Sequence, residues 1–486
     1  MPSWERCNRA KSKMHLLLDY IRQFGQLQRN ARLYLISNAL GGVSTGILLV
    51  LYNLYLVSLG YGTDFVGAIL FVGTLGAGIA IFPAGVCVDR FGGKLVMIWS
   101  SIILGLIGLG QILFRQPLPL LITAFIAGVA GAALLVVNAP FLTANSTPDE
   151  RTHLFSLNIT LSLITTVLGK VLGGALPLWF RGIPWLMASL PPWLSPLLAH
   201  SPEPRSYQLA LLFAGLIAGP SLIPLFLLSS DHPAKSSPVA ALSTPSSSIH
   251  QALSRESLGN GLAQPARWLR AARAFVRSRK LLHNAIFLLI VVQVLIGLGA
   301  GLFTPYFNIY FVDHLGASSA LFGLIDGGAN ALTALLTLVA PWLALRLGRI
   351  KGITLTELAS IPLMLTIGLT GLLPLAALLY PLRQGLMDMS NGVLQVFSME
   401  VVPRRHRGLA NSGYQAAYQI AWAITAPIGG LIIARSGYPP IFILAACCYL
   451  SAIATLWFNF RGSNGQKAIM EAADEKAMVP QTAWEK

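Results

Sequence analysis

Charge is scarce in this sequence. Only 11% of its 486 residues are Asp, Glu, Lys or Arg, against 55% hydrophobic ones, and so few charges cannot coat a soluble globule of that size. Acidic residues are the scarcest, 18 against 34 basic ones, for a formal net charge of +16. That excess does not indicate nucleic acid, because the cations sit in short turns between apolar runs and never gather on one polar domain. Cysteine is rare as well. Cys7, Cys87 and the neighbours Cys447 and Cys448 are the four present, and they imply no disulfide framework. There is no His/Cys cluster at metal-ligand spacing, no phosphate-binding glycine loop and no Ser/His/Asp arrangement, and the eight His are scattered. An enzyme, a metal site and a cofactor are therefore not expected. The basic first 32 residues lack a small-residue cleavage site behind a short apolar core. No removable signal peptide is expected, and the first span would serve as the insertion signal.

What the chain has instead is long apolar runs, each of the roughly 20 residues that cross a bilayer. Six lie at about 33–57, 64–88, 95–114, 118–145, 154–180 and 207–229, and six more at about 283–312, 319–345, 352–371, 374–401, 409–434 and 439–459. The expected organisation is a basic amphipathic N-terminus (1–32), a six-helix bundle (33–229), a linker (230–282), a second bundle (283–460) and a tail (461–486). The linker is Ser/Pro-rich up to Pro265, a disordered composition, and then runs into a basic amphipathic segment at 267–280 suited to anionic lipid headgroups. Twelve spans put both termini on one side. Of the 34 Lys and Arg, only Arg115, Arg181, Arg205 and Arg435 would then lie outside and Lys170 and Arg383 within spans. The rest mark the termini side as cytoplasmic. The long outside loop at about 181–206 contains IPWLMASLPPWLSPLL, whose Trp and Pro suit an interfacial or re-entrant segment.

The halves repeat. At a constant shift of 256, Gly67 matches Gly323, Arg90 matches Arg346, Gly92 matches Gly348, Arg151 matches Arg407, and Gly173 with Gly174 match Gly429 with Gly430. One residue out of that register, Tyr52-Asn53-Leu54-Tyr55 parallels Phe307-Asn308-Ile309-Tyr310. Two six-helix bundles related as parallel repeats follow.

Between the second and third spans the turn reads GVCVDRFGGKLVMI, Gly85 to Ile98. Glycines let the backbone reverse and the cations hold that end in the cytoplasm. This loop resembles the signature of the major facilitator superfamily, roughly G-x-x-x-D-R-x-G-R-K. Gly85, Asp89, Arg90, Gly92 and Lys94 match, Gly93 stands where Arg is usual, and in the second half Leu345 replaces the Asp. With twelve spans and a central linker, the resemblance covers nearly all of 33–460. It implies an all-α polytopic membrane protein, its twelve transmembrane helices forming two pseudo-symmetric six-helix bundles that rock about a midplane site. It also implies a cytoplasmic charge network, here Asp89, Arg90, Arg151 and Arg407, that locks the outward-facing state; a solvated basic face is the alternative for the arginines.

Ionisable groups inside spans are costly, so Lys170, Asp326, Arg383 and Asp388 must face partners or a wet cavity. Counted from the outer helix ends, Lys170 and Asp326 differ in depth by only about 5 Å at 1.5 Å per residue. By resemblance spans 5 and 8 face each other, so an interbundle ion pair closing the outer side is expected, a static pair being the alternative. Arg383 and Asp388 share span 10 but sit about 140° apart on the helix, too far for a good pair on one face. Arg383 is a candidate for an anionic or carbonyl group of the substrate and Asp388 for a proton; each can instead be satisfied by a neighbouring helix. Asn53, Asn138, Gln293, Asn308 and Asn391 are candidate amides in the cavity, or helix glue. Gln395 extends the polar side of span 10. Tyr414, Tyr418 and Trp422 form a stripe in span 11 for stacking or for packing, and Glu357 and Glu400 are expected near cytoplasmic helix ends as gates or caps. Family drug-proton antiporters carry an Arg in span 4, absent from Ala124 to Gly131, and a G-P-x-x-G-G in span 5, where Lys170 here replaces the Pro.

The expectation is a monomeric secondary transporter in the inner or plasma membrane. It would move a small molecule by alternating access, with protons as coupling ion and export as direction. Uptake or facilitated diffusion on the same fold, or a non-transporting membrane sensor, are the alternatives.

Overall fold

The computed structural model describes residues 27–188, 191, 197–229, 285–402 and 407–461. The N-terminal amphipathic segment up to residue 26, the linker with its basic stretch at 267–280, and the tail beyond residue 461 lie outside the described residues. Twelve long helices carry the described residues. They are α1 (Arg29–Ser58), α2 (Thr63–Phe91), α3 (Gly93–Leu113), α4 (Pro117–Ala144), α5 (Pro148–Arg181), α6 (Pro202–Phe226), α7 (Ala285–Phe303, continued by tighter and wider turns to His314), α8 (Ser319–Leu347), α9 (Arg349–Leu369), α10 (Leu373–Val401), α11 (Arg407–Ser436) and α12 (Pro439–Phe460). Among the described residues there is no strand. Eleven of the helices are long and apolar enough to cross a membrane. The exception, α10, has 29 residues and carries Arg383, Gln384, Asp388, Asn391 and Gln395.

Local chemistry sets the boundaries. Proline occupies the first turn of α4, α5, α6, α10 and α12, where its missing N–H is no loss. Helix pairs α2/α3 and α8/α9 are separated by one residue each, Gly92 at φ 83 and Gly348 at φ 85, a backbone conformation that a side chain would strain. These two glycines are repeat equivalents. The signature turn is thus built twice, although only its first copy keeps the acidic residue.

Helices α1 to α6 form one bundle, in which α2 packs on α4 and α1 on α5 and α6; α7 to α12 form the other, in which α8 packs on α10 and α7 on α11 and α12. The bundles meet along two crossings, α2 with α11 and α5 with α8. Both crossings lie at the end that carries the α1–α2, α5–α6, α7–α8 and α11–α12 connections. At Gly174 an added Cβ would come within 2.5 Å of the Ser319 carbonyl, and at its repeat equivalent Gly430 within 2.2 Å of the Thr63 carbonyl. Only glycine allows backbones so close. At the other end no hydrogen bond or ion pair joins the bundles among the described residues. The molecule is sealed at one end and open at the end of the signature turns.

The loop after α5 is organised by one cation. Buried Arg205 donates to the carbonyls of Ala199, Ala188 and His200, each at 2.7 Å, and to that of Leu186 at 3.3 Å. Gln208 donates to the Leu197 carbonyl at 2.8 Å. The described part of the loop, with its one-turn helix Pro184–Met187, therefore folds back on the start of α6.

Candidate transport site

The sealed end is held by hydrogen bonds that come in repeat-related pairs. Thr63 on α2 donates to the Gly430 carbonyl on α11 at 2.8 Å, and Ser319 on α8 donates to the Gly174 carbonyl on α5 at 2.9 Å. Deeper in, Asn53 on α1 donates to the Pro305 carbonyl at 2.8 Å, while Asn308 donates to the Val50 carbonyl at 3.1 Å. Each asparagine reaches the carbonyl three residues before its counterpart, so the two bonds are reciprocal across the pseudo-twofold axis. Pro305 lies in the tightened turn Thr304–Tyr306 that follows Phe303. In this conformation both amides join helix to helix, the alternative to a place in the cavity. Their amides are engaged in closing the sealed end, because the break in α7 brings its backbone against α1.

Deepest lies a charge layer with no counterpart across the axis. Lys170 Nζ on α5 and Asp326 Oδ2 on α8 are 2.8 Å apart, with side chains 10% and 11% exposed. Tyr380 on α10 donates to the other carboxylate oxygen at 2.9 Å, so Asp326 is bound on both sides. The Tyr380 ring is fixed edge-on by Phe307 and Phe311 of the second bundle. Sequence reasoning missed Tyr380, whose only signal was its place one turn before Arg383.

Arg383 is turned into the second bundle. Its guanidinium carbon is 4.8 Å from the Phe303 ring centroid on α7 and 5.9 Å from that of Tyr449 on α12. One Nη reaches the Tyr449 hydroxyl at 3.4 Å, and Nε has no hydrogen-bond partner. At 5% exposure the side chain is packed among aromatic rings, which hold a cation with their faces. Asp388 is half-buried, with Arg383 and Lys170 the charges that act on it. It forms no ion pair with Arg383, as the helical angle between them requires.

The remaining amides divide by exposure. Asn138 and Gln293 are half-buried and Asn391 and Gln395 exposed, and none of them is engaged in the seal. On α11, Tyr414 is 3% exposed, a core ring, whereas Tyr418 and Trp422 are half-buried. Glu357 is a correction. It is neither cap nor gate but 3% exposed, facing Ser390 of α10 at 3.0 Å, because α9 turns this side against α10 and not toward the open end.

The signature-turn residues are apart from one another here. Asp89 and Arg90 are exposed and belong to no ion pair among the described residues. Lys94 donates to the Leu228 carbonyl and so ties α3 to the chain leaving α6. Arg151 reaches the Thr143 carbonyl at 3.3 Å, the side chain of Arg407 lies outside the described residues, and a Cβ at Gly85 would meet nothing within 4 Å.

Two helical repeats that close on each other at one end only, around ionic groups in mid-span, are the architecture of a membrane carrier that opens to its two sides in turn. A model of the Major Facilitator Superfamily matches residues 34–381 and again 289–485, and the chain belongs to that superfamily. Its fold is similar to that of the nucleoside transporter NupG, at 13% identity and TM-score 0.61 over 91% of this chain and 99% of that one. It is similar too to a bacterial homolog of the human lysosomal transporter Spinster in an inward-facing, unoccupied conformation, at 13% identity and TM-score 0.61 over 91% and 96%. A D-xylose-proton symporter aligns at 15% identity and TM-score 0.60 over 88% and 97%.

Proposed function

We propose that this carrier exports a small molecule in exchange for protons, with its termini in the cytoplasm, its sealed end outside and the conformation described here facing inward. The Lys/Arg distribution supports that orientation. The observation that carries the coupling is the triad Lys170, Asp326 and Tyr380 across the α5/α8 crossing, with Asp388 on the same helix as Tyr380. Opening the sealed end separates α5 from α8 and breaks the ion pair. Lys170 and Asp326 must then find new partners, and Asp388, a second carboxylate on which the Lys170 charge acts, is the group whose proton compensates the rearrangement. Alternating access then closes the other end, where Asp89, Arg90, Arg151 and Arg407 come together. Asn138, Gln293 and Asn391 contact the substrate. The protein works as a monomer in the inner or plasma membrane.

The test is made in proteoliposomes with an imposed pH gradient, screening solutes while a pH dye reports proton flux. Substrate-driven proton flux opposite to solute movement, lost in Asp388→Asn, is the expected result. Flux in the same direction as the solute would make the protein a symporter, and solute movement without proton flux would return Asp388 to a structural or substrate-binding role.

A further inference from the structure

The second bundle buries a carboxyl group that the interbundle triad does not use. Glu357 lies about 12 Å into α9 from Arg349 at 1.5 Å per residue, and its Oε1 is 3.0 Å from Ser390 Oγ on α10. Ser390 owns one hydroxyl hydrogen, and the same Oγ is 2.8 Å from the Met387 carbonyl. A carbonyl only accepts, and so does a carboxylate, so the one hydrogen serves either Met387 or Glu357; at the shorter contact it goes to Met387, as serines inside helices give it, and Glu357 must then supply its own. The contact with Glu357 then presents a serine lone pair to a carboxyl oxygen. It is attractive only when Glu357 supplies the hydrogen.

Among the described residues no cation is paired with Glu357 to neutralise an ionised form. Helices α8, α10 and α12 pack on α9. On α8, Asp326 is held by Lys170 and Tyr380, and Arg346 lies over the Trp342 ring. On α10, Arg383 lies against Tyr449 of α12, Asp388 is the carboxyl on which Arg383 acts, and Glu400 stands at the far helix end. Cys447 of α12 is exposed and Cys448 half-buried. The ion pairs among the described residues are Lys170 with Asp326 and Arg181 with Glu203, so Glu357 is in none. A lone carboxylate at 3% exposure would be strongly unfavourable, and a neutral acid hydrogen-bonded to Ser390 is not. Beside Ser390, helices α8, α9 and α10 leave a cavity of about 10 Å³ bordered by Thr356, Ser390 and Ala344, room for roughly one water.

We infer that Glu357 is a proton-binding site of this protein, distinct from Asp388, and that it holds its proton more tightly in the sealed conformation than in the alternative one. Helix α10 supplies the link, since it holds Asp326 through Tyr380 and Glu357 through Ser390. When Lys170 leaves Asp326, the charge that Tyr380 bonds to is no longer compensated, α10 readjusts against α8 and α9, the Glu357 O–H bond breaks, and its proton passes to water while the carboxylate keeps the electron pair. The role in the cycle rests on the carrier reading above; the proton itself does not.

Infrared spectroscopy of the full chain in lipid tests the proton. At neutral pH the wild-type spectrum minus that of Glu357→Gln shows a carboxylic-acid carbonyl band, and Ser390→Ala shifts that band without removing it. Absence of the band overturns the site. Spin-label distances across the sealed end test the linkage. Because the sealed form holds the extra proton, its ratio to the open form rises as pH falls, by up to about tenfold per pH unit for one proton, and Glu357→Gln loses that slope. An equal slope in both proteins overturns the preference for the sealed form. A protein that shows the band but moves no solute counts against the proposed function and leaves the site standing.

Discussion

The two crossings that join the bundles, α2 with α11 and α5 with α8, are copies of one another at the surface and differ in depth. At the rim the copies are faithful. Thr63 bonds to Gly430 as Ser319 bonds to Gly174, and the four residues are equivalent at the same shift of 256. Four residues further in along α5 and seven along α8, the symmetry ends. Where α5/α8 places Lys170 and Asp326 in an ion pair, α2/α11 has Ala426 and Leu70 at the equivalent positions, and the Ala426 carbonyl is taken by Tyr306. Closing a membrane carrier at one end needs only what both crossings share, small residues and backbone contacts. The ionic layer is additional to the seal, present on one side only, and charge burial at mid-span is too costly to be kept without a use.

Making the crossings alike is the largest perturbation. Asp326→Ala alone leaves Lys170 buried without its partner, and breaking a buried pair this way costs about 3 to 5 kcal/mol, seen as a lower thermal midpoint in detergent. The double change Lys170→Ala with Asp326→Leu copies α2/α11 onto α5/α8. Its thermal midpoint is expected at or above that of wild type, since apolar replacement of a buried ion pair is neutral or stabilising. Its turnover falls about a hundredfold, the rate equivalent of about 3 kcal/mol. Wild-type transport in the double variant would make the ion pair a static strut.

Forcing the seal apart comes next in size. Gly174→Leu and Gly430→Leu each drive a side chain into the facing backbone, so both are expected to empty the sealed conformation. Cysteine labelling from the outer side then reads increased access to residues such as Asn308. Equal effects would show that the two crossings close together, whereas an effect at Gly174 alone would place control in α5/α8.

Much of this comparison was legible in the sequence, and the reason it stopped where it did is physical. The spans, the signature turn and the 256-residue repeat are one-dimensional signals, and the similar depths of Lys170 and Asp326 needed only the helical rise. Which way each helix faces was not legible. In a bilayer the lipid is as apolar as the bundle interior, so the pattern that orients a helix in a soluble protein is weak, and the same four-residue spacing in α11 holds one core ring, Tyr414, and two half-buried ones. Asn53 and Asn308 were visible as equivalents, but their reciprocal bonds depend on the tightened turn at Thr304–Tyr306. Glu357 read as a helix-end group because its distance along α9 was known and its facing toward Ser390 was not.

The asparagine pair gives a finer test of the symmetric part. Each of Asn53→Ala and Asn308→Ala removes one cross-bundle hydrogen bond worth about 1 kcal/mol net, so each shifts the sealed-to-open ratio by about fivefold, measured as spin-label distance populations at the sealed end. Unequal shifts would mean that the break in α7 makes one of the two bonds dispensable.

The smallest effect belongs to the rim, where Thr63→Val and Ser319→Ala each remove one hydroxyl bond at the surface of the seal. A loss near the lower limit of about 0.5 kcal/mol changes the same ratio by about twofold. Ser319 is 4% exposed and Thr63 is half-exposed at the start of α2, so Ser319→Ala, which leaves the Gly174 carbonyl without its cross-bundle donor in a buried place, is expected to produce the larger of the two shifts. The ordering matters more than the size. If Thr63→Val shifts the ratio as far as Ser319→Ala, the rim is symmetric in energy as well as in geometry, and the whole difference between the crossings resides in Lys170, Asp326 and Tyr380.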